Sequence, residues 1–231
     1  WHAAPGSYAE QVAVDRNRLV AVPEGVDPAV AASMLLQGMT SHYLLHGVRE
    51  TKPGDTMVVT AGAGGVGLIL TQMAAAEEAT VYSVVSSDEK EKLAYEAGAT
   101  KVFRYGEDLA EQIKAENGGG GVDVVYDGVG QDTFEMCLNV TRPRGLVCSF
   151  GSASGDVEPF KIQELNAHGA LFLTRPSLKH YVATDDEFLM RAQAVARAVE
   201  EGTVKIRIHP PYELKNARQA HEDLQARNTT G

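Results

Sequence analysis

"TMVVTAGAGGVGLILTQMAAA", residues Thr56 to Ala76, runs a short apolar stretch, a glycine-rich stretch and a second apolar stretch together without a break. A backbone this bare between two hydrophobic elements suits an anion that must approach the main chain. "TMVVT" reads as a buried strand and "GLILTQMAAA" as a helix. Between them Gly62, Gly64 and Gly67 stand in G-x-G-x-x-G order, after the strand and before the helix, which is the setting a dinucleotide fingerprint requires. In that fingerprint Gly62 permits the tight turn, Gly64 leaves room for a pyrophosphate, and Gly67 lets helix and strand pack closely. A helix starting near Gly65 aims its free N–H groups and positive dipole end at the phosphates, worth about 0.3–1 kcal/mol per charge when exposed.

Outward from this stretch the alternation continues. "TVYSVV" is followed by "DEKEKLAYEAG" and "KVFRY" by "EDLAEQIKAE"; three more strand candidates lie in "VDVVYDG", "GLVCSFG" and "ALFLTR". Short, continuous, valine-rich strands are expected where both faces are covered, and six of them separated by helices predict an α/β fold with a doubly wound parallel Rossmann sheet. Upstream, "PEGVDPAVAASMLLQGMTSHYLLHGV" offers Asp27 as an N-cap and Pro28 as the first helical residue, then apolar residues at helical spacing broken by Gly38, which reads as two helices. "YAEQVAVD" near the start is strand-like. After Arg175 come an amphipathic helix around "DEFLMRAQAVARAVEEG", a strand-like "VKIRIHPPYEL" and a last helix, "NARQAHEDLQAR"; this tail is expected to belong to something other than the sheet.

The end of the second strand selects the nucleotide. NAD binders place an acidic residue about 20 residues past the glycines to bond the adenosine ribose. Counting from Gly67 lands on Ser86 and Ser87, uncharged hydroxyls that leave space for a 2′-phosphate, and Lys90 follows to neutralise it. The expected cofactor is NADPH. Asp88 is the competing ribose acceptor, though it also suits the first turn of its own helix.

Composition sets limits. The 231 residues, 44% of them apolar, can bury one large core or two modest ones, and a formal charge of −10 argues against nucleic acid or an anionic membrane as partner. No apolar run is long enough to span a bilayer, so a cytoplasmic location is expected. Cys137 and Cys148 read as idle or buried thiols. His42 and His46, spaced i, i+4, have no third ligand in sight, so no metal is expected. The chain opens on Trp1 and closes on "NTTG", and an excision or truncation at both ends is expected.

The strings "GSYAEQVAVD", "AASMLLQGMTSHYLL", "AGAGGVG", "VVYDGVG", "LVCSFGSASG" and "LFLTRPSL", in this order, resemble the zinc-independent quinone oxidoreductases of the medium-chain dehydrogenase/reductase superfamily, the zeta-crystallin type. The likeness covers nearly the whole chain. It implies a Rossmann domain over 33–175, flanked by part of a GroES-like substrate domain at 1–32 and a return to that domain at 176–231. Thr40 would lie near the nicotinamide, Ala63, Gly64, Gly65 and Val66 would form the pyrophosphate turn, and Ser86, Ser87 and Lys90 would surround the 2′-phosphate. Tyr105 would reach the 2′-phosphate or the adenine, or else cap a strand end. Val129, Phe150, Gly151 and Leu173 would line the path toward the reactive ring, although Phe150 and Leu173 suit plain core packing equally well.

The activity implied is hydride transfer from NADPH to a quinone or activated enone, with the catalytic residues unassigned. The alternatives are an enoyl-thioester reductase and a crystallin-like NADPH binder without turnover; RNA binding is a distant third. A homodimer through the edge strand near Leu171 to Thr174 is also implied.

Overall fold

A computed structural model describes residues 5–226; Trp1 and the closing "NTTG" lie outside them. In chain order the main elements are α1 (Pro28–Tyr43), β1 (Thr56–Val59), α2 (Gly65–Ala76), β2 (Thr80–Val85), α3 (Asp88–Glu96), β3 (Lys101–Arg104), α4 (Leu109–Glu116), β4 (Val122–Asp127), α5 (Phe134–Val140), β5 (Thr141–Ser149), α6 (Gln163–Ala167), β6 (Phe172–Thr174), α7 (Leu178–Tyr181), α8 (Asp185–Glu200) and α9 (Ala217–Gln225). The strands form one six-stranded parallel sheet in the order β3-β2-β1-β4-β5-β6. The chain winds outward from β1 on one side, then crosses to β4 and winds the other way, which is the expected doubly wound order.

Period-two alternation distributes the strands' side chains between two cores. Met57, Val59, Val124 and Tyr126 join Leu35, Met39, Ile69, Leu70 and Phe188 on one face. Val58, Val84, Val125 and Val147 join Leu109, Ile113, Phe134 and Leu138 on the other. Helices therefore cover both faces, and the strands read as unbroken valine-rich runs for that reason.

Three expectations are corrected. The two helices predicted around Gly38 are one: α1 begins as expected, with Asp27 accepting from the amide of Ala29 at 2.8 Å and Pro28 at its start, and it runs unbroken to Tyr43 before a π-helical turn, Leu44–Val48. Gly38 serves contact instead, since a Cβ there would stand 2.5 Å from Cγ1 of Val195 in α8. Second, the strand-like "YAEQVAVD" and "VKIRIHPPYEL" form no strand among the described residues. A strand requires a partner's backbone, and in the second run Lys205 has its N–H and C=O bonded at 2.8 and 3.2 Å by the side-chain amide of Gln72 in α2. Third, the change of pattern after Arg175 does not take α8 away from the sheet. Thr184 and Glu187 close a capping box at its start, and Phe188, Ala192 and Val195 are buried in the same core as Val59 and Val124.

Candidate functional site

Parallel strands bring their carboxyl ends to one edge of the sheet, and the motif residues gather there. Past β1 the chain turns back into α2 through Thr60 to Gly64. The left-handed residue of this turn is Ala61, at φ 48°, and not Gly62. Gly62 is required for space, because a Cβ on it would stand 2.8 Å from Cβ of Ser83 in β2. A Cβ on Gly67 would lie 2.5 Å from the carbonyl oxygen of Ala61, so its absence sets the close packing of α2 on β1. Gly64 is exposed at the N-cap and offers no side chain to the helix. The amides of Gly65, Val66 and Gly67 have no acceptor among the described residues. Unsatisfied donors at the positive end of a 12-residue helix make a cradle for an anion.

Beyond β2, Ser86 is exposed and its Oγ receives a hydrogen bond from Nζ of Lys90 at 3.3 Å. Ser87 acts locally, its hydroxyl capping α3 by accepting from the amide of Lys90, also at 3.3 Å. Asp88, the competing ribose acceptor, is held by Nη2 of Arg104 at 2.6 Å, and that same nitrogen bonds Glu91 at 2.6 Å. Beyond β3, the hydroxyl of Tyr105 accepts from the amide of Ala61 at 2.8 Å, so it supports the glycine turn.

These parts enclose a cleft of about 460 Å³. Of the expected residues, Ala63, Gly64, Gly65, Ser86, Lys90, Tyr105 and Val129 line it. Asp132, Thr133, Ala153 and Leu224 line it as well and were not anticipated; of these, the first three follow "VVYD" and "CSFG", the ends of β4 and β5, where such a site draws its loops. The remaining expected residues lie elsewhere. Thr40 is buried in α1 with its hydroxyl on the carbonyl of Leu36 at 2.8 Å, while the hydroxyl of its neighbour Ser41 donates back to the carbonyl of Gln37 at 2.9 Å and lies 3.3 Å from the carbonyl of Val66, where α1 meets the first turn of α2. Gly151 and Leu173 line an adjacent cavity of about 510 Å³ that also includes Phe134, Phe160 and Arg175. Phe150 rests partly buried over Gly128, where a Cβ would be 3.1 Å from its Cζ.

Residues 65–192 match a family model described as zinc-binding dehydrogenase. Over 227 residues the chain is 38% identical to a quinone oxidoreductase of Pseudomonas aeruginosa, a match covering 98% of this chain and 70% of that protein. It is 36% identical over 230 residues to a 2-haloacrylate reductase of a Burkholderia species, covering 98% of this chain and 69% of the relative. A mycobacterial protein solved in complex with NADPH superposes with a TM-score of 0.96 at 45% identity, over 99% of this chain and 70% of that one.

This chain belongs to the quinone oxidoreductase family of medium-chain dehydrogenases/reductases. Membership makes it an oxidoreductase, and the cleft at its sheet edge fits the phosphates of a dinucleotide: three donors wait at the start of α2, Gly64 leaves the approach open, and a lysine lies at the far end.

The family model's description raises the matter of zinc. Among the described residues no group of three or more His, Cys, Asp or Glu side chains could hold a metal. In this quinone oxidoreductase-family chain both cysteines are buried, and burial pushes the thiol of Cys148 up to about 12 and that of Cys137 up as well. The two histidines on α1 and its terminal turn have protein partners. Nη1 of Arg191 meets Nδ1 of His42 at 3.0 Å, and Nε2 of His46 meets Glu77 at 3.0 Å.

Proposed function

We propose that this chain binds NADPH across the carboxyl edge of its sheet, and that the protein uses it to reduce a quinone or an activated enone without zinc. The observation that carries this is the single cleft joining the open glycine turn to Ser86 and Lys90. In it the amides of Gly65, Val66 and Gly67 would hold the pyrophosphate, and Ser86 and Lys90 would hold the 2′-phosphate. Val129 would pack beside the nicotinamide half. Bound there, NADPH supplies a hydride; the chain binds it, orients it and keeps water from one face. The relatives named for quinones and for 2-haloacrylate support an electron-poor, conjugated acceptor.

Stretches 1–32 and 176–231, apart from α8, which packs on the sheet's core, are proposed to complete a second, GroES-like domain. The protein is further proposed to pair through β6, the last strand of the sheet, where Phe172 is 64% exposed. Among the described residues no helix is long and apolar enough to cross a membrane.

The test is a fluorescence titration with NADPH and NADH, followed by oxidation of NADPH with a simple quinone and with an acrylate, before and after treatment with a zinc chelator. Tighter NADPH binding and turnover that survives chelation are expected. Turnover abolished by the chelator and restored by zinc would overturn the zinc-independent part, and preference for NADH would overturn the assignment of Ser86 and Lys90.

A further inference from the structure

β4 ends on Asp127, which is fully buried and pairs with no Lys, Arg or His among the described residues. A buried carboxylate without a counter-charge costs several kcal/mol unless hydrogen bonds satisfy it. Four donors do so here. Oδ1 accepts from Oγ1 of Thr60 at 2.7 Å, from Oγ1 of Thr133 at 2.7 Å and from the amide of Val129 at 3.2 Å; Oδ2 accepts from the amide of Gly130 at 3.0 Å. The hydroxyl of Thr60 also accepts from the amide of Gly128 at 2.9 Å, which commits its proton to Asp127.

The main chain of the same residue holds the next loop. Its carbonyl oxygen accepts from the amides of Phe150 at 2.8 Å and Gly151 at 3.2 Å. The two loops are then keyed together. A Cβ on Gly151 would lie 2.5 Å from the carbonyl oxygen of Gly128, a Cβ on Gly130 would lie 2.5 Å from that of Gly155, and Ser154 donates to the carbonyl of Val129 through both its amide, at 2.8 Å, and its hydroxyl, at 2.9 Å. One side chain therefore fixes residues 128–130 and the end of β1, and one carbonyl fixes residues 150–151. An apolar residue would finish the strand's core at less cost, so what the carboxylate contributes is geometry.

We infer that Asp127 is a positioning residue: it sets the height of the two loops that border the nicotinamide half of the bound NADPH, and through them the affinity of that half of the cofactor. The inference rests on the NADPH reading above. An amide at this position cannot reproduce the function, since its NH₂ faces donors where an acceptor is required. Ser86 and Lys90, which hold the 2′-phosphate end, line the same cleft as Val129 but belong to the loop after β2, to which Asp127 makes no hydrogen bond, so that end should not respond.

The experiment compares Asp127→Asn and the gentler Thr60→Val with wild type in the intact protein. Affinities are measured for NADPH and for adenosine 2′,5′-bisphosphate, which has the 2′-phosphate end but no nicotinamide half. Asp127→Asn is expected to weaken NADPH about tenfold and Thr60→Val about threefold, with the bisphosphate affinity unchanged in each. If Asp127→Asn does not fold, Thr60→Val decides by the same pattern. Unchanged NADPH affinity in the folded variants would overturn the inference, as would loss of both ligands in parallel, the mark of general destabilisation. A wild-type protein that binds no NADPH would overturn the cofactor reading itself, and this inference with it.

Discussion

The hydroxyl of Tyr105 accepts the amide hydrogen of Ala61 at 2.8 Å and so ties the end of β3 to the turn between β1 and α2. Ala61 sits at φ 48°, a left-handed conformation that costs a residue with a Cβ on the order of 1 kcal/mol. The bond helps hold that conformation. Tyr105→Phe keeps the ring and removes the acceptor, so thermal unfolding should show a loss of about 0.5–1.5 kcal/mol and NADPH should bind several-fold more weakly. Ala61→Gly relieves about 1–2 kcal/mol of backbone cost against about 0.5–1 kcal/mol of added freedom in the unfolded chain, and should raise the melting temperature. If Tyr105→Phe leaves both melting and binding untouched, the tyrosine is a wall of the cleft and nothing more.

Lys90 is held against Ser86 at the cleft and makes no ion pair among the described residues. It is therefore the cation available to a 2′-phosphate, whereas Arg104 is already occupied by Asp88 and Glu91. Lys90→Ala should weaken NADPH about tenfold while leaving NADH nearly unchanged, and added salt should erode NADPH affinity in wild type more than in the variant. Equal loss for both nucleotides would place the lysine's effect in α3 and not at the phosphate.

The alternation of strand and helix from Thr56 to Thr174 is legible because each element carries its own period and its own glycine, serine or aspartate punctuation. Asp27 and the start of α2 at Gly65 are local signals of this kind, decided within a few residues. What cannot be read depends on distant partners. Gly38 looks like a break until Val195, far along the chain, is found against it. "VKIRI" looks like a strand until the side chain of Gln72 is seen in the place of a neighbouring strand. The glycine turn shows both sides: its place is plain from spacing, but which residue bears the left-handed conformation depends on Ser83 crowding Gly62 and Tyr105 holding Ala61. Asp127 leaves one signal, a charge at the end of a valine-rich strand, and its four donors come from two separate loops, one after β1 and one after β4.

Nη1 of Arg191 can only donate, so the contact at 3.0 Å makes Nδ1 of His42 the acceptor and places the ring proton on Nε2. Burial first, then the charges of His46 and Arg191, lower the pKa of His42 from 6.5 to about 4. Below pH 6.5 the unfolded chain takes up a proton that the folded chain refuses. The resulting stability is present in full above pH 6.5 and drains away as pH falls toward 4. Denaturant midpoints measured at about pH 7.5 and about pH 5 should therefore differ more in wild type than in His42→Asn, whose side-chain oxygen can still accept from Arg191. The same difference in both proteins would mean that other groups carry the acid response.

Gly38 and Val195 settle how closely α1 and α8 approach, and the pair allows a test of packing free from any question of ligand. A Cβ on Gly38 would meet Cγ1, Cγ2 and Cβ of Val195 at 2.5, 3.0 and 3.3 Å. Val195 is buried in the core of a helix, where a β-branched side chain has little choice of rotamer and cannot swing away. Alanine would gain about 0.5–1 kcal/mol over glycine from helix propensity, but overpacking of this kind costs about 1–3 kcal/mol, so Gly38→Ala should destabilise on balance. Val195→Ala alone should also destabilise, through the cavity it leaves. Together they should cost less than the sum, because the new methyl occupies the space the valine vacates. Strict additivity in a double-mutant cycle would show that the two helices can move apart, and that Gly38 does not set their distance.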